Sequence, residues 1–131
     1  MSRSGYSDDC DGWSLICWRG AVESALRGKR GQEFLKELAE SMDEMPVKRL
    51  IADDLESEGE FCTIGVLGAK RGVDMAKLDP HDREQVGNVF GIAPAMAAEI
   101  VFMNDEGSYL AETPEQRWTR MRKWIGEQLK P

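Results

Sequence analysis

The stretch Asp79-Pro-His-Asp-Arg-Glu-Gln-Val-Gly-Asn-Val-Phe-Gly-Ile-Ala-Pro-Ala-Met-Ala-Ala-Glu-Ile-Val-Phe-Met-Asn104 decides the fold, because it holds two helical signals separated by Gly91. Asp79 is placed to cap the first helix. Pro80 suits position N1, where its missing N–H costs nothing, and Asp82 falls where a carboxylate favours the helix dipole. Val86, Val89 and Phe90 recur at three- and four-residue steps, as one buried face requires. Gly91 ends that helix, since glycine enters the left-handed region without a Cβ clash. Pro94 opens a second helix with Met96, Ile100 and Met103 as its apolar stripe. Residues 80–104 therefore predict a helix-turn-helix-like pair.

Such a pair reads DNA only when the start of its second helix carries donors for base edges. Here that start is Ala93-Pro-Ala-Met-Ala-Ala-Glu99, which offers no such donor and adds a carboxylate that repels phosphate. The pattern predicts two core helices of a bundle in preference to a base reader.

Upstream, residues 13–27 read as a helix carrying Trp13, Ile16, Trp18, Val22, Ala25 and Leu26. Gly28-Lys-Arg-Gly31 is a turn signal. A second helix over about 31–45 sets Phe34, Leu35, Leu38, Met42 and Met45 on one face, with Glu33, Glu37, Glu40 and Glu44 on the other. Two such helices with a short link should form a hairpin. Pro46 ends the second and can open a third, in which Val47, Leu50, Ile51 and Leu55 have helical spacing before Gly59 breaks it.

The segment Phe61-Cys-Thr-Ile-Gly-Val-Leu67 has the β-branched and aromatic content of a strand. Its nearest partner, Arg49 to Asp53, already reads as helix. The preferred reading is a helix over about 61–71, closed by Gly72, with Gly65, Gly68 and Ala69 forming a face that permits close approach; a strand stays open. Thr113-Pro-Glu115 is a helix start of cap, N1 proline and first-turn acid. The helix that follows has an apolar stripe of Trp118, Met121, Trp124, Ile125 and Leu129. The first eleven residues are polar and read as an extended arm. The predicted fold class is all-α: a compact single-domain helical bundle of about five to six helices spanning residues 1–131.

Composition narrows the function classes. With 131 residues the chain can enclose a genuine core. No apolar run reaches the roughly 18–20 residues that span a bilayer, and the polar N-terminus has no signal-peptide core. The expectation is a cytoplasmic protein. Cys10, Cys17 and Cys62 form no CxxC pair, which argues against a disulfide framework and against zinc. Phosphate-cradle, zinc-protease and hydrolase-elbow patterns are absent. His81 is the only histidine and starts a helix with no nucleophile motif beside it. We therefore expect no enzyme, no cofactor and no metal.

The net charge of −7 is unevenly spread. Residues 32–60 carry ten acidic and three basic groups, whereas 113–131 carry two acidic and five basic. The acidic stretch suggests a partner-binding face centred on Glu37, Glu40, Glu44, Asp53 and Asp54, with a surface that imitates nucleic-acid phosphates as one form of it. The alternative is nucleic-acid binding through Arg19, Arg27, Lys29 and Arg30 with Arg117, Arg120, Arg122 and Lys123. Internal neutralisation of the acidic stretch by those bases competes with both. Oligomeric state is open, a dimer included.

Trp18-Arg-Gly-Ala-Val22, Arg27-Gly-Lys-Arg-Gly-Gln32, Asn104-Asp-Glu-Gly-Ser-Tyr109 and Thr113-Pro-Glu-Gln-Arg117 together resemble small proteins of unknown function encoded in proteobacterial phages and prophages. The resemblance carries no activity and no catalytic residue. It implies a context in which small accessory proteins act by binding a host or defence protein.

Overall fold

The computed structural model describes residues 12–108 and 110–131, with the backbone alone for 12–15. The expected arm over residues 1–11, Cys10 and the Trp13 side chain lie outside this description. Helix α1 (Gly12–Arg27) and helix α2 (Lys29–Asp43) are joined through Gly28 alone. Trp18, Val22 and Leu26 are buried on α1, but Ile16 is 62% exposed and does not join the core as expected. Phe34, Leu35, Leu38 and Met42 are buried on α2, as their spacing requires. The link is tight because Gly31 lies against the end of α1, where a Cβ would stand 1.8 Å from the Ala25 carbonyl oxygen.

The third helix expected after Pro46 does not form. Residues 46–55 run as an irregular segment into a two-stranded antiparallel ladder of β1 (Glu56–Ser57) and β2 (Glu60–Phe61). Its two-residue turn places Glu58 at φ 53° and Gly59 at φ 79°, the pair of positive values that a tight hairpin turn requires. Leu50 and Leu55 are still buried, at 0% and 3% exposure. Apolar spacing was therefore a correct guide to burial at Leu50 and Leu55, but not at Val47, and a wrong guide to helix. The backbone here is satisfied by distant partners: Leu50 N–H donates to the Pro114 carbonyl and Ile51 N–H to that of Phe61. Such bonds replace the helical ladder and cannot be read from neighbours in sequence.

Helix α3 (Thr63–Arg71) agrees with the preferred reading of 61–71, except that Phe61 belongs to β2. Gly72 closes it in the left-handed conformation at φ 74°. Gly65 and Gly68 permit close approach, of the Leu55 carbonyl in one case and of Met75 and Phe90 in the other, while Ala69 is exposed. A single 3₁₀ turn (Met75–Lys77) leads to helix α4 (Arg83–Phe90). Its cap is Asp82, whose carboxylate accepts from Gln85 N–H at 3.1 Å, and not Asp79. Asp79 instead folds a turn ahead of the helix, accepting from His81 N–H at 2.9 Å, so Pro80 is not at N1. Asp82, expected inside the first turn as a carboxylate favourable to the dipole, is the cap itself, and the helix starts three residues later than expected. Val86 and Phe90 are buried, but Val89 is 42% exposed.

Helix α5 (Pro94–Glu106) follows α4 across a bend of 106° at Gly91, confirming the paired architecture. It touches α1, α3, α4 and α6 and buries Met96, Ala97, Glu99, Ile100, Val101 and Asn104. Helix α6 (Pro114–Gln128) begins with a complete capping box between Thr113 and Gln116 and buries Met121 and Ile125. One apolar cluster is shared by all six helices. No single helix among the described residues is long and apolar enough to cross a membrane.

Asn104 joins the parts. Its side-chain oxygen accepts from Thr63 N–H (3.0 Å) and Thr63 Oγ1 (2.8 Å), and its amide nitrogen donates to the Ile51 carbonyl (2.9 Å). The residue is 1% exposed. Replacing it by leucine strands a buried donor and a buried acceptor, each worth about 1–3 kcal/mol. Asn104→Leu should lower the urea midpoint by an amount equivalent to at least about 2 kcal/mol, while Asn88→Leu at an exposed site leaves it nearly unchanged.

The glycines give a second test. A Cβ at Gly65 would stand 1.9 Å from the Leu55 carbonyl oxygen, whereas one at Gly20 meets nothing within 4 Å. Gly65→Ala should lower the melting temperature, and Gly20→Ala should raise stability by about 0.5–1 kcal/mol through its helix propensity.

Candidate functional site

The acidic stretch separates into two places. Glu37 and Glu44 lie on α2 or just beyond its end, facing the last turn of α3. Arg71 holds Glu37 with two guanidinium bonds of 3.2 and 2.6 Å, and Lys70 pairs with Glu44 at 3.1 Å. The hydrogen bond from Arg71 keeps the Glu37 carboxyl below its ordinary range, against an opposing effect of burial. Asp43 is held low in the same way by Arg122 from α6. Asp53 and Asp54 do not share the α2 face, because the helix expected to carry them is absent. Asp53 takes φ 72°, and its N–H donates to the Asp105 carboxylate at the end of α5. Glu40, Asp53 and Asp54 are exposed, with no ion pair among the described residues.

The basic residues divide as well. Arg117 donates to the carbonyls of Asn104 and Leu50, and Arg120 to those of Met103 and Asn104. Both also pair with Glu112, at 3.3 and 2.8 Å. These arginines cap the C-terminus of α5, where the dipole and the free carbonyls favour a cation. Other helix ends are treated alike: Lys48 caps α2 through the Met42, Asp43 and Met45 carbonyls, and Arg71 reaches the Phe90 carbonyl at the end of α4. Gln32 donates to the carbonyls of Leu26 and Gln128, closing α1 and α6 together. Arg19, Arg27, Lys29, Arg30 and Lys123 remain exposed, with no ion pair among the described residues. The alternative nucleic-acid-binding set thus loses Arg117 and Arg120 to the end of α5 and Glu112, and Arg122 to Asp43.

The structure adds a groove that the sequence reading did not contain. It has a volume of about 550 Å³ and lies between the end of α2, the 46–49 segment, the hairpin turn and α3. Ser41 and Val66 are buried at its base, and Met45, Pro46, Val47 and Phe61 supply apolar walls. Val47 is 59% exposed, although helical spacing had assigned it to a buried face. The ion pairs Arg49–Glu60 and Lys70–Glu44 stand among its lining residues. The signal that was available is Gly59 alone, which suits the second position of a two-residue hairpin turn, whereas Glu58 at the first position is not a residue that favours one.

Other candidate groups have structural surroundings. Cys62 is buried at the N-cap of α3 and accepts from Gly65 N–H, and burial pushes its thiol up to about 12. Cys17 is exposed on α1. His81 is exposed in the turn before α4. No cluster of three or more His, Cys, Asp or Glu side chains suited to a metal ion occurs among the described residues. Comparison with family models, with curated proteins and with solved structures finds no match to this chain.

Glu112 generates a pH prediction. The hydrogen bond from Arg120 foremost, and the charges of Arg120 and Arg117, hold its carboxyl below the ordinary range in the folded protein. A depressed folded value stabilises above the unfolded value and is lost as pH falls through the folded one. Glu112→Gln should therefore cost about 1–3 kcal/mol near neutral pH. The gap from the parent, measured by urea melts, should narrow steadily as pH falls below the ordinary carboxylate range.

Proposed function

We propose that the protein works in the cytoplasm by binding another protein, in the manner of a small phage-type accessory protein directed at a host or defence protein. The observation that carries this reading is the division of charge. Lys70, Arg71 and Arg122 pair with Glu44, Glu37 and Asp43, and Lys48 is turned onto the end of α2. This leaves Glu40, Asp53, Asp54, Glu56 and Glu58 as the carboxylates that the 32–60 region shows to solvent without an ion pair among the described residues. Exposed negative charge beside exposed apolar side chains such as Val47 favours a basic protein surface over a nucleic acid. Imitation of a phosphate backbone is one form this contact can take. The role is binding, with no reaction assigned.

A second reading, nucleic-acid contact, is favoured by the exposed Arg19, Arg27, Lys29 and Arg30 around the α1–α2 link. It lacks a recognition helix, because α5 is packed on four neighbours and its Glu99 is 6% exposed. A gel shift with random duplex DNA at low salt separates the two, and the protein-binding reading expects no shift at micromolar protein.

The direct test reverses Glu40, Asp53 and Asp54 to lysine. Captured on a resin and exposed to proteobacterial lysate, the parent should enrich a specific partner, identified by mass spectrometry. The triple variant should lose that partner by at least about tenfold, or roughly 1.4 kcal/mol, with its helical circular dichroism unchanged. Capture at full strength by the variant would sink the acidic-face reading.

A further inference from the structure

The groove between α2 and the hairpin has a chemistry that selects its occupant. Its walls are apolar where Met45, Val47 and Phe61 meet, and a volume of about 550 Å³ falls within the range that encloses side chains of a ligand or peptide. Among the lining residues Glu44 and Glu60 are balanced by Lys70 and Arg49, so the uncompensated charge comes from Glu40, Glu56 and Glu58, which neighbour the lining without belonging to it. Glu56 stands opposite Phe61 in the ladder, and directly opposed residues project to the same side of a hairpin. Glu58 precedes the lining residue Gly59, and Glu40 lies one turn before Glu44 on the same face of α2. None of Glu40, Glu56 and Glu58 has an ion-pair partner among the described residues. The nearby cations are already engaged: Arg49 by Glu60 and Glu115, Lys70 by Glu44, and Lys48 by the α2 carbonyls.

We propose that this groove is the docking site for a cationic amphipathic peptide segment of a partner protein, which inserts apolar side chains between Val47 and Phe61 and sets Lys or Arg against Glu40, Glu56 and Glu58. An acidic segment would meet uncompensated carboxylates on both rims, and a purely polar one would leave the exposed Val47 wet. A second copy of this acidic chain is disfavoured by the same rims. The proposal rests on the protein-binding reading and names the chemistry of its partner.

The test uses the full chain and a short fluorescein-labelled peptide of alternating leucine and lysine clusters, followed by fluorescence anisotropy. Saturable binding is expected, with Val47→Asp weakening it by at least about tenfold and the triple variant Glu40→Lys, Glu56→Lys, Glu58→Lys doing the same. The variant Glu23→Lys, Glu106→Lys, Glu127→Lys makes the same change in net charge away from the groove and should retain most of the affinity. A leucine–glutamate peptide should not bind. Equal weakening by both triple variants would show attraction to overall charge only and overturn the site, as would full binding to Val47→Asp. A lysate partner whose capture is unaffected by Val47→Asp also overturns the groove, while leaving the protein-binding reading standing. Both Val47 and the three rim glutamates are exposed, so circular dichroism and melting temperature should match the parent in every variant used.

Discussion

The Asn104 side chain lies buried where α3, the irregular 50–55 segment, α5 and the start of α6 converge, and it makes hydrogen bonds to two of these neighbours. A buried amide left unmatched is costly, so its partners must arrive in one arrangement only. Thr63 fixes the start of α3, and the Ile51 carbonyl fixes the path of a segment that has no helix of its own. The Asn104 backbone carbonyl, at the end of α5, is taken by Arg117 and Arg120, which sets the position of α6. Hydrophobic burial supplies most of the driving force for such a bundle, but it is not directional. The amide and the two guanidinium groups supply the direction.

The same requirement recurs at nearly every helix end. A helix leaves its last carbonyls without internal partners, and here side chains from elsewhere in the chain supply them. Lys48, Gln32, Arg71, Arg117 and Arg120 each do this work for a helix other than their own or for the one they have just left. Drawing cations inward has an outward consequence. The chain is acidic by composition, and Lys70, Arg71 and Arg122 offset Glu44, Glu37 and Asp43. Glu40, Asp53, Asp54, Glu56 and Glu58, without an ion pair among the described residues, nevertheless keep the exposed surface of the 32–60 region negative. The hairpin folds that acidity around a groove whose walls are apolar.

Much of this architecture was legible from residues a few positions apart. Thr113-Pro-Glu115 announced α6, Gly72 and Gly91 announced two helix ends, and the stripe from Phe34 to Met42 announced the buried face of α2. Each of these signals is local, since caps act over three residues and helical faces repeat within four. The small-residue face of α3 was legible too, although not what would approach it. The candidate site was far less so. Leu50 and Leu55 are buried as expected, yet in an irregular segment, and with that helix gone Asp53 and Asp54 part company with Glu37 and Glu44. Arg117 and Arg120, read either as part of a basic surface or as neutralising the acidic stretch, are instead part-buried against the end of α5 and Glu112.

What the sequence determined by itself is the all-α class, the helices with strong local caps and stripes, and the excess of negative charge. What the tertiary structure decided is the path of residues 46–61, the groove that path creates and the inward turn of the arginines. The physical reason is the range of the interactions. Helix propensity, capping and periodic burial are settled among neighbours. The bonds of Leu50 to Pro114, of Thr63 to Asn104 and of Arg120 to Met103 exist only once the chain has already come together.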